Sequence, residues 1–276
     1  AAHIELAGFP HHSINTYLPK LVRAGERVAI CDQLEDPKMT KKIVKRGVTE
    51  LVTPGVSFND EVLNQKENNF FFFIEFTKKN NGIVLFDVSK GELLVAQGDH
   101  EYINKLISNF NPSEILFQKN KGKEFEDLFG TSHYTFRLDD WVFTSDFAEE
   151  ILNKHFGTKS LKGFGVEGMS EAIIAAGAVF HYLGESEHKK LDHITGIARI
   201  EEDKYVWLDR FTIKNLELVS SPHENARTLS DILDETQTAM GSRMLRRWIM
   251  LPLKNKKPID DRIEVVDFLK SNEKIC

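Results

Sequence analysis

Asn69-Phe70-Phe71-Phe72-Phe73-Ile74-Glu75-Phe76 and, after Thr77-Lys78-Lys79-Asn80, the run Asn81-Gly82-Ile83-Val84-Leu85-Phe86-Asp87-Val88 decide the fold. Each apolar run is strand-sized, and both are far shorter than the ~20 residues that span a bilayer. Asn81-Gly82 between them predicts a hairpin turn, because Asn and Gly tolerate the positive φ that such turns require. Residues 93–97 follow the Lys90-Gly91 turn as a third strand. Residues 99–110 read as a helix with Tyr102, Ile103, Leu106, Ile107 and Phe110 on one face, and Asn111-Pro112 ends it.

Residues 114–117 are then a buried strand. A charged loop, a short strand near 134–136, a helix over 145–155 and a longer helix over 170–184 complete the unit. Ala175, Ala176, Gly177 and Ala178 make the centre of that last helix small enough to lie close to a sheet. Three strands, helix, strand, helix is an α/β order with a mixed sheet. It fits a ribonuclease-H-like arrangement better than a doubly wound one.

The flanks differ. Before the sheet, residues 13–23 carry a helical pattern, with Ile14, Tyr17, Leu18, Leu21 and Val22 on one face and Gly25 as a stop. Pro19 predicts a kink or a late start. Residues 27–31 and 48–53 read as strands, and the polar stretch before Asn69 as a linker. After the sheet, 197–200 and 205–208 read as strands about a turn at Glu202-Asp203. Residues 209–218, 229–235, 240–250 and 260–270 follow as helices. The expected organisation is α/β and α+β multidomain: a partial N-terminal α/β domain (1–57), a linker (58–69), the mixed-sheet unit (70–192) and a mostly helical segment (193–276).

The 276 residues, 41 % apolar and 28 % charged, have ample material for buried cores. A net charge of −6 disfavours wholesale nucleic-acid binding but leaves room for a local basic face. The two cysteines, Cys31 and Cys276, form no spacing motif. Cys31 sits in the alternation Val28-Ala29-Ile30-Cys31 and is expected to be a small buried filler. A reducing, cytoplasmic setting is the natural reading. The first residues lack the pattern of a signal peptide and an initiating Met, which suggests an excised piece of a longer chain.

Catalytic motifs do not emerge. Gly122-Lys123 is followed by Glu124 and makes no phosphate-binding loop, so no nucleotide site is expected in this segment. Two-metal nuclease chemistry on such a sheet needs several carboxylates converging on ions roughly 4 Å apart. Asp87 is placed to be the first, but Gln118-Lys119 stands where a second belongs, and Glu171 reads as a complement to its helix dipole. Asp87 is read instead as a turn-bonding residue. His11-His12 are poor joint metal ligands, because neighbours on a helix start point about 100° apart. No catalytic and no metal residues are assigned.

Two basic clusters remain. Residues 38–46 hold Lys38, Lys41, Lys42, Lys45 and Arg46 without an acid, a candidate phosphate-contacting loop or a solvated one. Arg243, Arg246 and Arg247 lie on a helix, with Met244, Leu245 and Trp248 expected on the opposite face.

Three segments in order resemble the MutS family of DNA mismatch-recognition proteins. Ala7-Gly8-Phe9-Pro10-His11-His12, Val28-Ala29-Ile30-Cys31-Asp32-Gln33-Leu34-Glu35-Asp36-Pro37 and Leu51-Val52-Thr53-Pro54-Gly55 are similar to the second half of its mismatch-recognition domain. Asp87-Val88-Ser89-Lys90-Gly91-Glu92, Phe156-Gly157 and Gly163-Phe164-Gly165-Val166 are similar to its connector. Thr228-Leu229-Ser230-Asp231-Ile232-Leu233-Asp234 with Met240-Gly241-Ser242-Arg243-Met244-Leu245-Arg246-Arg247-Trp248 is similar to the opening of its lever and core domain.

The resemblance implies a relay between ATPase and DNA-reading domains and a docking face for the MutL protein, placed at Tyr182, Glu185, Glu187 and Lys189. It implies mismatched duplex DNA as a partner, bound weakly and non-specifically by this piece, a homodimeric parent, and no membrane. It implies an interdomain role for Arg243, Arg246 and Arg247. It also implies that the base-stacking Phe-x-Glu precedes Ala1, with residues 1–55 strained or partly unfolded for lack of their first strands, and that ATP and Mg²⁺ bind beyond Cys276. The alternatives are a ribonuclease-H-like metal-dependent nuclease and a non-mismatch paralogue of the same superfamily.

Overall fold

In the computed structural model, residues 7–36, 38–39, 43–56, 68–77, 80–188, 191–223 and 226–272 are described. The elements, in chain order, begin with α1 (Ile14–Arg23), β1 (Val28–Gln33) and β2 (Arg46–Val52). Next come β3 (Phe71–Glu75), β4 (Asn81–Asp87), β5 (Glu92–Gly98), α2 (His100–Phe110), β6 (Glu114–Gln118), α3 (Gly122–Phe129) and β7 (Thr135–Leu138). They end with α4 (Ser145–Phe156), α5 (Ser170–Glu185), β8 (Ala198–Arg199), α6 (Arg210–Asn215), α7 (Leu229–Leu233), α8 (Ala239–Met250) and α9 (Lys256–Ser271). The chain divides into two units, Ala1–His100 with Pro112–Arg199, and Glu101–Asn111 with Ile200–Cys276.

A six-stranded sheet in the order β7-β6-β3-β4-β5-β8 organises the first unit. β4 alone runs against its neighbours; the other pairings are parallel. The four-phenylalanine run makes β3 the central strand, because it has enough apolar surface to be buried on both faces. Phe71 and Phe73 lie in one cluster with Val84, Phe86, Val95 and the inner sides of α4 and α5. Phe72, Ile74, Ile83, Leu85 and Phe117 are buried on the opposite face. Each fully buried phenylalanine contributes about 2–3 kcal/mol of transfer free energy, an upper estimate before chain entropy is subtracted.

Glycine sets two close approaches. α5 crosses α4 where a Cβ on Gly177 would lie 2.5 Å from the Ala148 Cα. The first turn of α5 lies on β4 at Gly82, where a Cβ would sit 2.0 Å from the Glu171 carbonyl carbon. Asn81-Gly82 is therefore not the hairpin turn. Both residues are inside β4, with Gly82 opposite Glu75, and the glycine is required by the helix above it.

Other expectations are corrected as well. The charged loop after β6 is the helix α3, because Phe125 at its centre stacks on Phe117 with ring centroids 4.5 Å apart. Residues 205–208 are not a strand; Tyr205 forms an isolated bridge to Leu253, and Ala198–Arg199 alone extends the sheet beside β5. α1 begins after a 3-10 turn, His11–Ser13, and runs through Pro19.

Within the first unit, the described residues between 7 and 56 pack around a small core of Leu18, Val22 and Val52, with Ile14, Val28 and Ile30 against it. β1 and β2 form a two-stranded antiparallel sheet. Because one face of that sheet meets solvent, Cys31 is exposed rather than a buried filler.

In the second unit, Thr228 and Asp231 form a capping box at α7, and Arg262 lies over Trp248 at 4.2 Å. Among the described residues no helix is long and apolar enough to cross a membrane.

Candidate functional site

Asp87 and Gln118, weighed together as nuclease positions, lie at opposite ends of the sheet. Phe71 pairs with Phe86 at one end, while Glu75 pairs with Gly82 at the other. Asp87 is one residue past the first pair, and Gln118 adjoins Glu75. Five strand positions separate them by roughly 15 Å, several times the spacing of a two-metal site. Asp87 is fully buried and spends its oxygens locally. One accepts from Ser89 Oγ at 2.7 Å, the other from the Asn69 amide at 3.0 Å and Asn68 Nδ2 at 3.1 Å.

The residue that faces Gln118 is Glu75, which the sequence reading passed over. Gln118 Nε2 donates to Glu75 Oε2 at 2.8 Å, and burial pushes the Glu75 carboxyl up to about 7. Glu171, in the first turn of α5, pushes in the same direction. Among the described residues no group of three His, Cys, Asp or Glu side chains is placed to hold a metal ion.

A buried polar cluster joins the described residues between 7 and 56 to the larger sheet. Thr53-Pro54-Gly55-Val56 is a tight turn in which the Thr53 amide donates to the Val56 carbonyl at 3.0 Å. Glu114, the polar residue that opens β6, reaches into this turn. Its Oε2 accepts from Thr53 Oγ1 at 2.7 Å and from the Gly55 amide at 3.3 Å. The Tyr182 hydroxyl accepts from Arg27 Nη2 at 3.0 Å.

The Arg27 guanidinium is laid over the Phe136 ring, 3.6 Å from its centroid. Burial raises the Glu114 carboxyl, while the Thr53 hydrogen bond and the Arg27 charge pull it back. Burial likewise pushes the Tyr182 phenol up, so it remains a hydrogen-bonding hydroxyl across the physiological range. Around this charged centre the Leu51 amide donates to the Ser186 carbonyl at 3.2 Å, and His188 Nε2 lies 3.6 Å from Glu50 Oε1. Val56 is buried in the sheet's main cluster, and Asn69 Nδ2 bonds the Pro54 and Gly55 carbonyls at 3.0 and 3.3 Å.

The other sequence-derived sites fare unevenly. Tyr182, proposed for a docking face, is 2 % exposed and belongs to the joint; its ring packs on Phe73. Glu185 and Glu187 are exposed. Lys38, Lys45 and Arg46 are exposed near the end of the β1–β2 sheet, with Lys45 Nζ 3.8 Å from Glu35 Oε1. Lys41, Lys42 and Lys189 lie outside the described residues. Arg246 on α8 donates to the Val219 carbonyl at 3.1 Å within the second unit, and Arg243 and Arg247 are half-buried. Met244, expected on a packed face, is half exposed.

Arg27, Glu114 and Thr53 were absent from the sequence-derived sites. The available signal was a lone carboxylate opening the apolar strand Glu114-Ile115-Leu116-Phe117, together with Thr-Pro-Gly, a turn needing something to satisfy it.

Three family descriptions match consecutive stretches: MutS domain I over residues 1–61, MutS domain II over 69–195 and MutS domain III over 211–276. The DNA mismatch repair protein MutS of Christiangramia forsetii is 62 % identical over 271 residues, covering 98 % of this chain and 31 % of the relative. The protein of the same name from Flavobacterium johnsoniae is 62 % identical over 270 residues, with the same coverage. That from Bacteroides thetaiotaomicron is 57 % identical over 265 residues, covering 96 % of this chain and 31 % of the relative. The chain spans 31 % of the length of these relatives.

Proposed function

The chain belongs to the MutS family of DNA mismatch repair proteins, and from that premise we propose that it is a relay: residues 7–56 meet DNA, and the sheet unit carries their position onward. The observation that supports this reading most is the buried joint of Arg27, Thr53, Glu114 and Tyr182. A flexible tether would need no buried carboxylate with a half-buried guanidinium set beside it. A joint that holds them gains its stability only when all partners are seated, and so transmits displacement rather than absorbing it. We read the sheet unit as ribonuclease-H-like on its strand order, with one reversed strand next to the centre, and as the connector that also receives the MutL protein.

At the DNA end, Lys38, Lys45 and Arg46 are the proposed phosphate contacts. Duplex DNA is expected to bind this chain with an affinity that falls as salt rises, because each neutralised phosphate releases counterions. Replacing the three residues by alanine should lower the log–log salt slope by about 2–3. A titration at several salt concentrations reads this directly. An unchanged slope would remove these residues from the DNA interface.

A further inference from the structure

The β1–β2 loop carries the two most exposed large apolar side chains among the described residues: Ile43 is 95 % exposed and Met39 86 %. Single apolar side chains scattered over a surface are ordinary. These two share one loop with Lys38, Lys45 and Arg46, which are exposed as well. Residues 40–42 between them lie outside the described residues. Neither the joint nor the phosphate contacts make use of Met39 or Ile43.

Hydrogen bonds fix both ends of the first half of this loop. At its base the Leu34 amide donates to the Lys45 carbonyl at 2.9 Å, one step beyond the Gln33–Arg46 pair that ends the ladder. The Leu34 side chain closes over Gly47, where a Cβ would lie 2.9 Å from its Cδ1. Further out, Asp36 holds a turn. Its carbonyl accepts from the Met39 amide at 3.0 Å, and its Oδ1 accepts from the Lys38 amide at 2.9 Å. An aspartate bonded to the backbone two residues on fixes such a turn locally. Met39 therefore leaves an anchored backbone with its side chain in water.

A loop that only touched phosphates would need cations and a polar tip. Apolar side chains set between cations fit a surface with charged walls and an apolar floor. A groove of duplex DNA has both, with phosphates along its rims and sugars and base edges between them. Met and Ile are among the side chains that wedge into base steps and partly unstack them. An anionic bilayer shares the charge but fits less well. Two side chains bury too little to hold it, since even a single acyl chain gives only marginal binding.

We propose that Met39 and Ile43 enter a groove of duplex DNA as an apolar wedge, with Lys38, Lys45 and Arg46 holding the flanking phosphates. The proposal rests on the reading that this end of the chain meets DNA. It adds what the cations alone cannot do, because a wedge presses on base stacking and so favours steps that unstack easily.

The full chain carrying Met39→Ser with Ile43→Ser tests this, with a duplex containing 2-aminopurine as the probe. Losing the wedge is expected to weaken duplex binding about tenfold at every salt concentration. The log–log salt slope should stay at its wild-type value, because no charge has changed. Fluorescence of 2-aminopurine rises when the base is unstacked; it should rise with the wild type and stay flat with the variant. Thermal unfolding should not move, since both side chains are exposed. A variant with wild-type affinity and a wild-type fluorescence rise would overturn the wedge and leave the DNA reading in place. Vesicles of anionic phospholipid that bind the wild type and not the variant, with duplex binding equal in the two, would assign the tip to a membrane and overturn it too. A wild-type chain that binds no duplex would bring down the DNA reading itself, and the wedge with it.

Discussion

Replacing Arg27 by alanine is expected to destabilise the first unit by about 3 kcal/mol, among the largest single-residue effects in the chain. Two losses combine. The guanidinium leaves the Phe136 ring, where it sits 3.6 Å from the centroid, an interaction worth about 2 kcal/mol when desolvated. The buried Tyr182 hydroxyl also loses the Arg27 Nη2 donor that reaches it at 3.0 Å, and leaving a buried group without its partner costs about 1–3 kcal/mol, so the two losses together reach about 3–5 kcal/mol. Arg27 is only partly buried, which places the expected total at the low end of that range.

Lysine at position 27 should recover less than half of the loss, because an ammonium cannot both stack on Phe136 and bond Tyr182. Glu114→Gln alone should cost less than Arg27→Ala, since burial already favours the uncharged form of that carboxyl. Urea unfolding reads each value as a midpoint shift. A loss below about 1 kcal/mol for Arg27→Ala would mean that the cluster is incidental to stability.

Gly82→Ala is expected to be comparably damaging for a different reason. The new methyl would meet the backbone of Glu171 and Ala172 at 2.0–2.2 Å, and a helix backbone cannot swing aside as a flexible side chain can. Either α5 lifts from β4 or β4 bends away from β3. Overpacking of this kind costs about 1–3 kcal/mol, occasionally more, and the top of that range is expected here. Gly130→Ala is a useful contrast. Nothing lies within 4 Å of its added methyl, so its penalty should come from backbone conformation alone, at φ 79°. Thermal midpoints of the two variants separate the mechanisms. A mild Gly82→Ala would show that α5 does not bear on β4 as closely as described.

These two residues also mark where sequence reasoning stops. The phenylalanine run could be recognised as strand because apolar periodicity reports burial directly. The helices α4, α5 and α8 were likewise legible from the spacing of their apolar residues. Asn81-Gly82 misled because a glycine required by a neighbouring helix looks the same in sequence as one required by a turn. The helix α3 was missed because Gly122-Lys123-Glu124-Phe125-Glu126-Asp127-Leu128-Phe129 is mostly charged, and its fate is decided by Phe117, which stacks on Phe125 from another strand.

The joint was hidden for the same reason on a larger scale. Arg27, Thr53, Glu114 and Tyr182 span more than 150 positions, and no local pattern announces that they meet. Tyr182 shows the hazard most plainly, since its place near the end of α5 suggested a surface while the fold buries it. The MutS resemblance could be read from short motifs because those motifs are local; the chemistry that joins them is not.

The relay account depends on residues 7–56 opening together with the larger sheet rather than ahead of it. Native-state amide exchange at Leu51, Gly55 and Val56 measures that directly. Their amides donate respectively to the Ser186 carbonyl, Glu114 Oε2 and Thr53 Oγ1. If the joint is as tight as its geometry indicates, these amides exchange with the same free energy of opening as Val84 and Leu85 inside β4. Exchange at the joint several kcal/mol easier than in β4 would contradict the account, because it would make the joint a hinge rather than a link.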